Sequence, residues 1–197
     1  MNLTFDEYQS RALTTAVYPR QYVLMGGEAV KPNSPSCIYP VFGLCGEIGE
    51  VAQVTVDRLG KIEDLKKECG DVLWYIAAIC SDLSIKMGDV AGHETFSMFA
   101  ANSRLTNNLS VEEMVVELSI AAGIVSEATK KTIRDSDGIV TKERLAAIQV
   151  ALRRILVALS AICERRGIIF GCVATGNLAK LAGRAAKGTI TGSGDNR

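Results

Sequence analysis

An all-α fold is what this sequence predicts, and three observations carry the prediction. Apolar residues recur at helical spacing along nearly the whole chain, the pattern of helices that bury one stripe and wet the other. β-branched residues alternating with polar ones, the mark of a half-buried strand, are scarce. Helix starts are written out: Thr4 precedes "FDEYQSRALTTAV", Thr141 precedes "KERLAAIQVALRRILVALSAICERR", and Ser110 with Glu113 three residues on makes a capping-box pattern.

The elements follow in order. Residues 4–17 read as the first helix. Residues 18–40 hold prolines together with Gly26, Gly27, Asn33 and Ser34, and read as a long loop. A loop of that length in a compact domain is often functional. Residues 41–59 form a helix that Gly60 ends, and 62–86 a second one, aliphatic, with Trp74 and Tyr75. Residues 88–109 have turn residues at both ends and an apolar middle, which leaves their type open. Ser110 then starts the helix "VEEMVVELSIAAGIVSEATKK", "RDSDG" (134–138) reads as a turn, and the helix after Thr141 runs to Gly167. A last helix spans about 170–186, before the glycine-rich polar tail "KGTITGSGDNR".

These elements suggest one domain over residues 1–197 with a degenerate internal repeat. The first pseudo-repeat covers about 1–105 and the second about 110–187, and residues 188–197 are the tail. Helix pair 41–86 matches pair 111–166 in layout, and "AAIC" at 77–80 echoes "SAIC" at 160–163. Glu127 falls near the Glu50 position, whereas those of Glu68 and Asp71 fall among Ile, Ala, Leu and Arg, depending on register. Each pair has one apolar face, and stacking two pairs makes a four-helix core.

Composition narrows the function classes. Apolar residues make up 48% of the chain, enough for a sizeable core. Acidic and basic residues balance at 22 each, so there is no basic field to bring in nucleic acid. The six cysteines, Cys37, Cys45, Cys69, Cys80, Cys163 and Cys172, form no C-x-x-C pair. They read as small buried groups in a reducing cytoplasm. His93 is the only histidine and reads as a surface residue, so a zinc site lacks its ligands. The start at Met1 lacks the pattern of a signal peptide, and no run of about 18 apolar residues predicts a membrane span.

The chemistry lies in four acids. "GLCGEIGEVAQ" (43–53) carries Glu47 and Glu50, and "KKECGDVLWYIAAIC" (66–80) carries Glu68 and Asp71. Residues three apart on a helix share a face. Seventeen residues separate Glu50 from Glu68, enough for a helix end, a turn and an antiparallel return. The two pairs can then face each other across a hairpin. Carboxylates so gathered repel unless a hard divalent cation, Mg²⁺ or Mn²⁺, sits among them. The plainer reading is solvated acids paired with Lys61, Lys66 and Lys67. Against it stand Gly43, Gly46 and Gly49 around the first pair and Cys69 and Gly70 inside the second, small residues that permit close approach or leave room for a ligand.

These motifs, in the context "GLCGEIGEVAQ…KKECGDVLWYIAA", resemble the MazG-like all-α nucleoside triphosphate pyrophosphohydrolases. The opening "FDEYQSRALTTAVYP" and the closing "NLAKLAGRAAKGTITGSGDNR" are similar to small members of that family, so the match covers about 1–85 and 168–197. The resemblance implies a MazG-like helical bundle, here a fused pseudo-dimer of four-helix type, because short members build the core from two chains. It implies hydrolysis of a nucleoside triphosphate to monophosphate and pyrophosphate. Glu47, Glu50, Glu68 and Asp71 would hold Mg²⁺ or Mn²⁺, and Glu47 or Glu50 would take the proton of the attacking water. Gly46 stands where many relatives carry a further acid, which leaves the choice between the two glutamates open.

Asn177, Lys180, Arg184 and Lys187 would bind the polyphosphate, with Arg197 adding charge from the tail. Trp74, with Tyr75 beside it, is a stacking candidate for the base, and Tyr8 and Gln9 are weaker ones. The implied role is trimming the (deoxy)nucleoside triphosphate pool, with dGTP a candidate in a viral setting and dUTP or dCTP the alternative. A non-catalytic nucleotide-binding regulatory module and a purely structural bundle are the competing classes. The expected setting is the cytoplasm, a host's if the source is viral, with no nucleic-acid or membrane partner and with homo-oligomers.

Overall fold

The computed structural model describes residues 2–18, 38–57, 60–102 and 109–190. Most of the predicted 18–40 loop, Cys37, and the tail from residue 191 with Arg197 lie outside these. The described residues form eight α-helices and no strand; only an isolated bridge joins Thr4 to Thr95.

Helix α1, Phe5–Ala12, starts at Thr4 with both halves of a capping box to Glu7, and one 3-10 turn, Leu13–Thr15, follows it. Helix α2, Ile38–Val56, begins before the predicted position 41. Pro40 did not block it, because proline is tolerated in a first turn, where its missing N–H costs no bond. Helix α3, Ile62–Asp82, stops short of 86 at a turn where Ser84 takes a φ of 56°. The open stretch 88–109 holds two short helices, α4 Met87–Ala91 and α5 Phe96–Asn102, separated at Gly92 with a φ of 68°.

Helix α6, Val111–Ser136, carries the Ser110–Glu113 capping box in full. It runs through most of the predicted "RDSDG" turn: the chain reverses only at Asp137 and Gly138, where φ is 48° and 82°. Helix α7, Lys142–Arg165, starts at Thr141 as predicted, and helix α8, Phe170–Lys187, ends at Gly188.

The long helices pair as α2 with α3 and α6 with α7, and the pairs meet chiefly where α2 packs along α6. Helix α8 lies along α3, and α1 touches α3, α4 and α8. One continuous core results, with Leu73, Ile76, Ile79, Met114, Leu118 and Ile148 among its fully buried residues. Cys69, Cys80 and Cys163 are buried free thiols, whereas Cys45 and Cys172 are exposed rather than buried.

Helix α7 is long and apolar enough to cross a membrane by length and composition, although Arg153 and Arg154 break its apolar run. Just 56% of its most apolar window is buried inside the bundle. The packing of α2 and α8 on α3 places the N-terminal half of α2, the middle of α3 and the C-terminal half of α8 around one cleft.

Candidate active site

The two acidic pairs do meet. Carboxylate oxygens of Glu47, Glu50 and Glu68 lie within 4.8 Å of one another, and they are half-buried, exposed and buried in that order. Helical spacing sets each pair on one face, and the α2–α3 hairpin turns the faces together.

The cost of this crowding shows at Glu47. Burial first, then the charges of Asp71, Glu50 and Glu68, push its pKa from 4.5 up to about 8, with Lys180 opposing.

Asp71 stands beside the triad and is tied to α8. Lys180 Nζ donates to its two oxygens at 2.6 and 2.5 Å, and Asn177 Nδ2 donates to Oδ1 at 3.1 Å. Asn177 is itself buried, and its Oδ1 accepts from the Tyr8 hydroxyl at 2.8 Å. Gly70 makes this contact possible: a Cβ there would sit 2.9 Å from Asn177 Cβ. The glycines of α2 differ from one another. At Gly43 a Cβ would fall 2.0 Å from Tyr75 Cε1, so the tyrosine ring rests on bare backbone, while Gly46 and Gly49 have nothing within 4 Å.

Glu47 and Asp71 form the acidic part of the lining of a small open cleft of about 130 Å³. Trp74, Tyr75, Tyr39, Tyr18 and Arg184 line it as well. Trp74 is held in place, its Nε1 donating to Ala12 O at 3.2 Å and Thr15 Oγ1 at 3.3 Å. Tyr18 stacks on Tyr39 with centroids 4.8 Å apart, and Trp74 meets Tyr75 edge-on at 4.9 Å. Burial, then Tyr39, then the nearby Glu47 and Asp71 charges raise the Tyr75 hydroxyl well above the usual phenol range.

The structure therefore gathers Glu47, Glu50, Glu68, Asp71, Asn177, Lys180, Arg184 and Trp74 into one region. Lys187 is exposed in the last turn of α8 and does not line the cleft. Tyr8 and Gln9 do not line it. Tyr8 is fully buried, and Gln9 bridges Ile85 O and Met87 N. Sequence reasoning missed Tyr18, Tyr39 and Thr15. Tyr39 looked like loop, and only its place one turn before Gly43 could have drawn attention to it. Glu127, which the sequence pattern sets near the Glu50 position, is exposed and paired with Lys130 and Lys131.

No family model matches the chain, and no solved structure does. Over 76 residues, 39% of its length, it is 34% identical to the Gene 37 protein of Mycobacterium phage L5, and the match spans 67% of that protein. That identity over that share of the relative is a family relationship. The chain belongs to the family of the Gene 37 protein of Mycobacterium phage L5.

Proposed function

We propose that the protein is a MazG-like pyrophosphohydrolase, converting a (deoxy)nucleoside triphosphate and water to the monophosphate and pyrophosphate. The observation that supports this most is the Glu47–Glu50–Glu68 triad, whose Glu47 lines an aromatic-lined cleft together with Asp71. The donor set is all oxygen, which suits Mg²⁺ or Mn²⁺ rather than softer metals. Burial is the first cause of the rise at Glu47, and the repulsion from Asp71, Glu50 and Glu68 that adds to it is what a divalent cation would relieve. When bound, such a cation offsets phosphate charge and makes water more acidic.

Glu47, Glu50 and Glu68 would hold the cation in this reading, with Asp71 beside them as a fourth oxygen donor. Glu47 or Glu50 accepts the proton of water as it attacks phosphorus, and pyrophosphate departs with the bonding pair of the broken P–O bond. Lys180 and Arg184 carry the positive charge for the polyphosphate. Trp74, Tyr75 and Tyr39 offer ring faces and edges to the base. The two helix pairs then correspond to a fused pseudo-dimer whose second half has lost its acids. A phage relative fits a viral setting in the host cytoplasm, and the same reading takes the substrate as a deoxynucleotide and the protein as an oligomer.

Product analysis tests the reading. Incubation of dGTP, dUTP, dCTP and the ribonucleotides with Mg²⁺ yields equal monophosphate and pyrophosphate for at least one of them, and none with EDTA. Diphosphate with orthophosphate, or no turnover of any nucleotide by folded protein, would refute it.

A further inference from the structure

Tyr8 is a buried titratable group beside the site to which the mechanism gives no task. Its ring is sealed in the core, edge-on to Phe96 at 5.7 Å. Its hydroxyl reaches two acceptors, Asn177 Oδ1 at 2.8 Å and Gly70 O at 3.4 Å. A hydroxyl has one proton, and the shorter contact takes it. That bond settles which way the Asn177 amide points, because the amide oxygen now faces Tyr8 and the NH₂ faces Asp71 Oδ1 at 3.1 Å. The flipped amide would set its oxygen against the Asp71 carboxylate, two acceptors with no proton between them.

We propose that Tyr8 is a positioning residue: acting through Asn177, and beside the Lys180 ammonium that donates to both Asp71 oxygens, its hydroxyl helps fix the Asp71 carboxylate in the orientation the cation site needs. The relay joins α1 to α8 and α8 to α3, three helices far apart in sequence. Every member is buried or half-buried, so water does not substitute freely for a lost bond. Gly70 is part of it, since the bare backbone there admits Asn177. Partners beyond the ligands orient the ligands, and their removal typically costs about 10–100-fold in metal affinity or activity. The inference rests on the cation-site reading above.

Tyr8→Phe is the test, since it keeps the ring and removes the hydroxyl, and its melting temperature controls for folding. Free Mn²⁺ measured by electron paramagnetic resonance gives the affinity. Tyr8→Phe weakens Mn²⁺ about tenfold, Asn177→Ala weakens it at least as much, and Tyr8→Phe added to Asn177→Ala changes it less than twofold further. The Asn177 side-chain amide signals in a ¹⁵N correlation spectrum move in Tyr8→Phe and in Asp71→Asn. Wild-type Mn²⁺ affinity in Tyr8→Phe, effects that multiply in the double variant, or amide signals that stay put would each overturn the proposal. A wild type that binds no Mn²⁺ would overturn the cation-site reading, and with it this role for Tyr8. The amide signals would then still report whether the hydrogen-bond relay itself exists.

Discussion

Glu47→Gln isolates the electrostatic strain at the centre of the site. In the folded protein without a divalent cation, the Glu47 pKa stands at about 8 against 4.5. Below pH 4.5 both folded and unfolded states hold the proton. Between 4.5 and 8 the folded state keeps a proton that the unfolded state has released. The folded state therefore binds more protons in that window, and stability falls as pH rises through it. A rise of about 3.5 at about 1.36 kcal/mol per pKa unit gives about 4.8 kcal/mol as the ceiling. Glu47 is only half-buried, and solvent screening reduces this to on the order of 1–2 kcal/mol. The substituted glutamine would fill nearly the same space with no charge to expel.

The assay is thermal unfolding of wild type and Glu47→Gln at pH 5 and pH 8 in EDTA. At pH 5 the two melt within about 1 °C of each other. At pH 8 the variant melts higher by roughly 2–8 °C, from about 2–4 °C per kcal/mol for a chain of this size. Adding Mg²⁺ at pH 8 raises the wild type and leaves the variant nearly unmoved, because a ligand stabilises only the state that binds it. A wild-type-minus-variant difference equal at both pH values would refute the claim that crowded carboxylates raise Glu47.

Other outcomes follow from packing and charge. Gly43→Ala destabilises by about 2 kcal/mol or more, because its Cβ would lie 2.0 Å from the Tyr75 ring; Gly46→Ala and Gly49→Ala, with open space, stabilise by up to about 1 kcal/mol each, all three read by urea unfolding. Ser110→Ala removes the cap of α6 and costs about 1 kcal/mol by the same measurement. Lys180→Met takes from Asp71 its two short charge-assisted bonds and from the cleft one positive charge; steady-state kinetics would show kcat/KM down at least 100-fold with the fold intact by circular dichroism. Tyr39→Ala removes the ring that stacks on Tyr18 and raises KM for the preferred nucleotide about tenfold while kcat changes little.

How much of this was legible follows from where each signal sits. The acid pairs were readable because i, i+3 spacing is a local fact and the hairpin between them is short. The caps at Thr4, Ser110 and Thr141 were readable for the same reason, since a cap and its helix are neighbours in sequence. The start of α2 was not, because prolines and glycines upstream outweigh Pro40, which a first turn accepts. The "RDSDG" turn was placed too early. Arg134, Asp135 and Arg144 make ion pairs that carry α6 through Ser136, and only Asp137 and Gly138 take positive φ. The partnership of Asp71 with Lys180 and Asn177 spans more than a hundred residues, and periodicity says nothing about which helix lies on which. Gly43, Gly46 and Gly49 look alike in sequence, yet the packed structure gives only Gly43 a close neighbour.

The central claim is that these acids serve pyrophosphate-releasing hydrolysis. The most direct measurement is pyrophosphate release from a panel of nucleoside and deoxynucleoside triphosphates, with Mg²⁺ or Mn²⁺, by wild type beside Glu68→Gln and Asp71→Asn. The wild type is expected to release pyrophosphate cation-dependently from at least one nucleotide, with a loss of at least 100-fold in both variants. Release that persists in both folded variants, or none from the folded wild type, would contradict it.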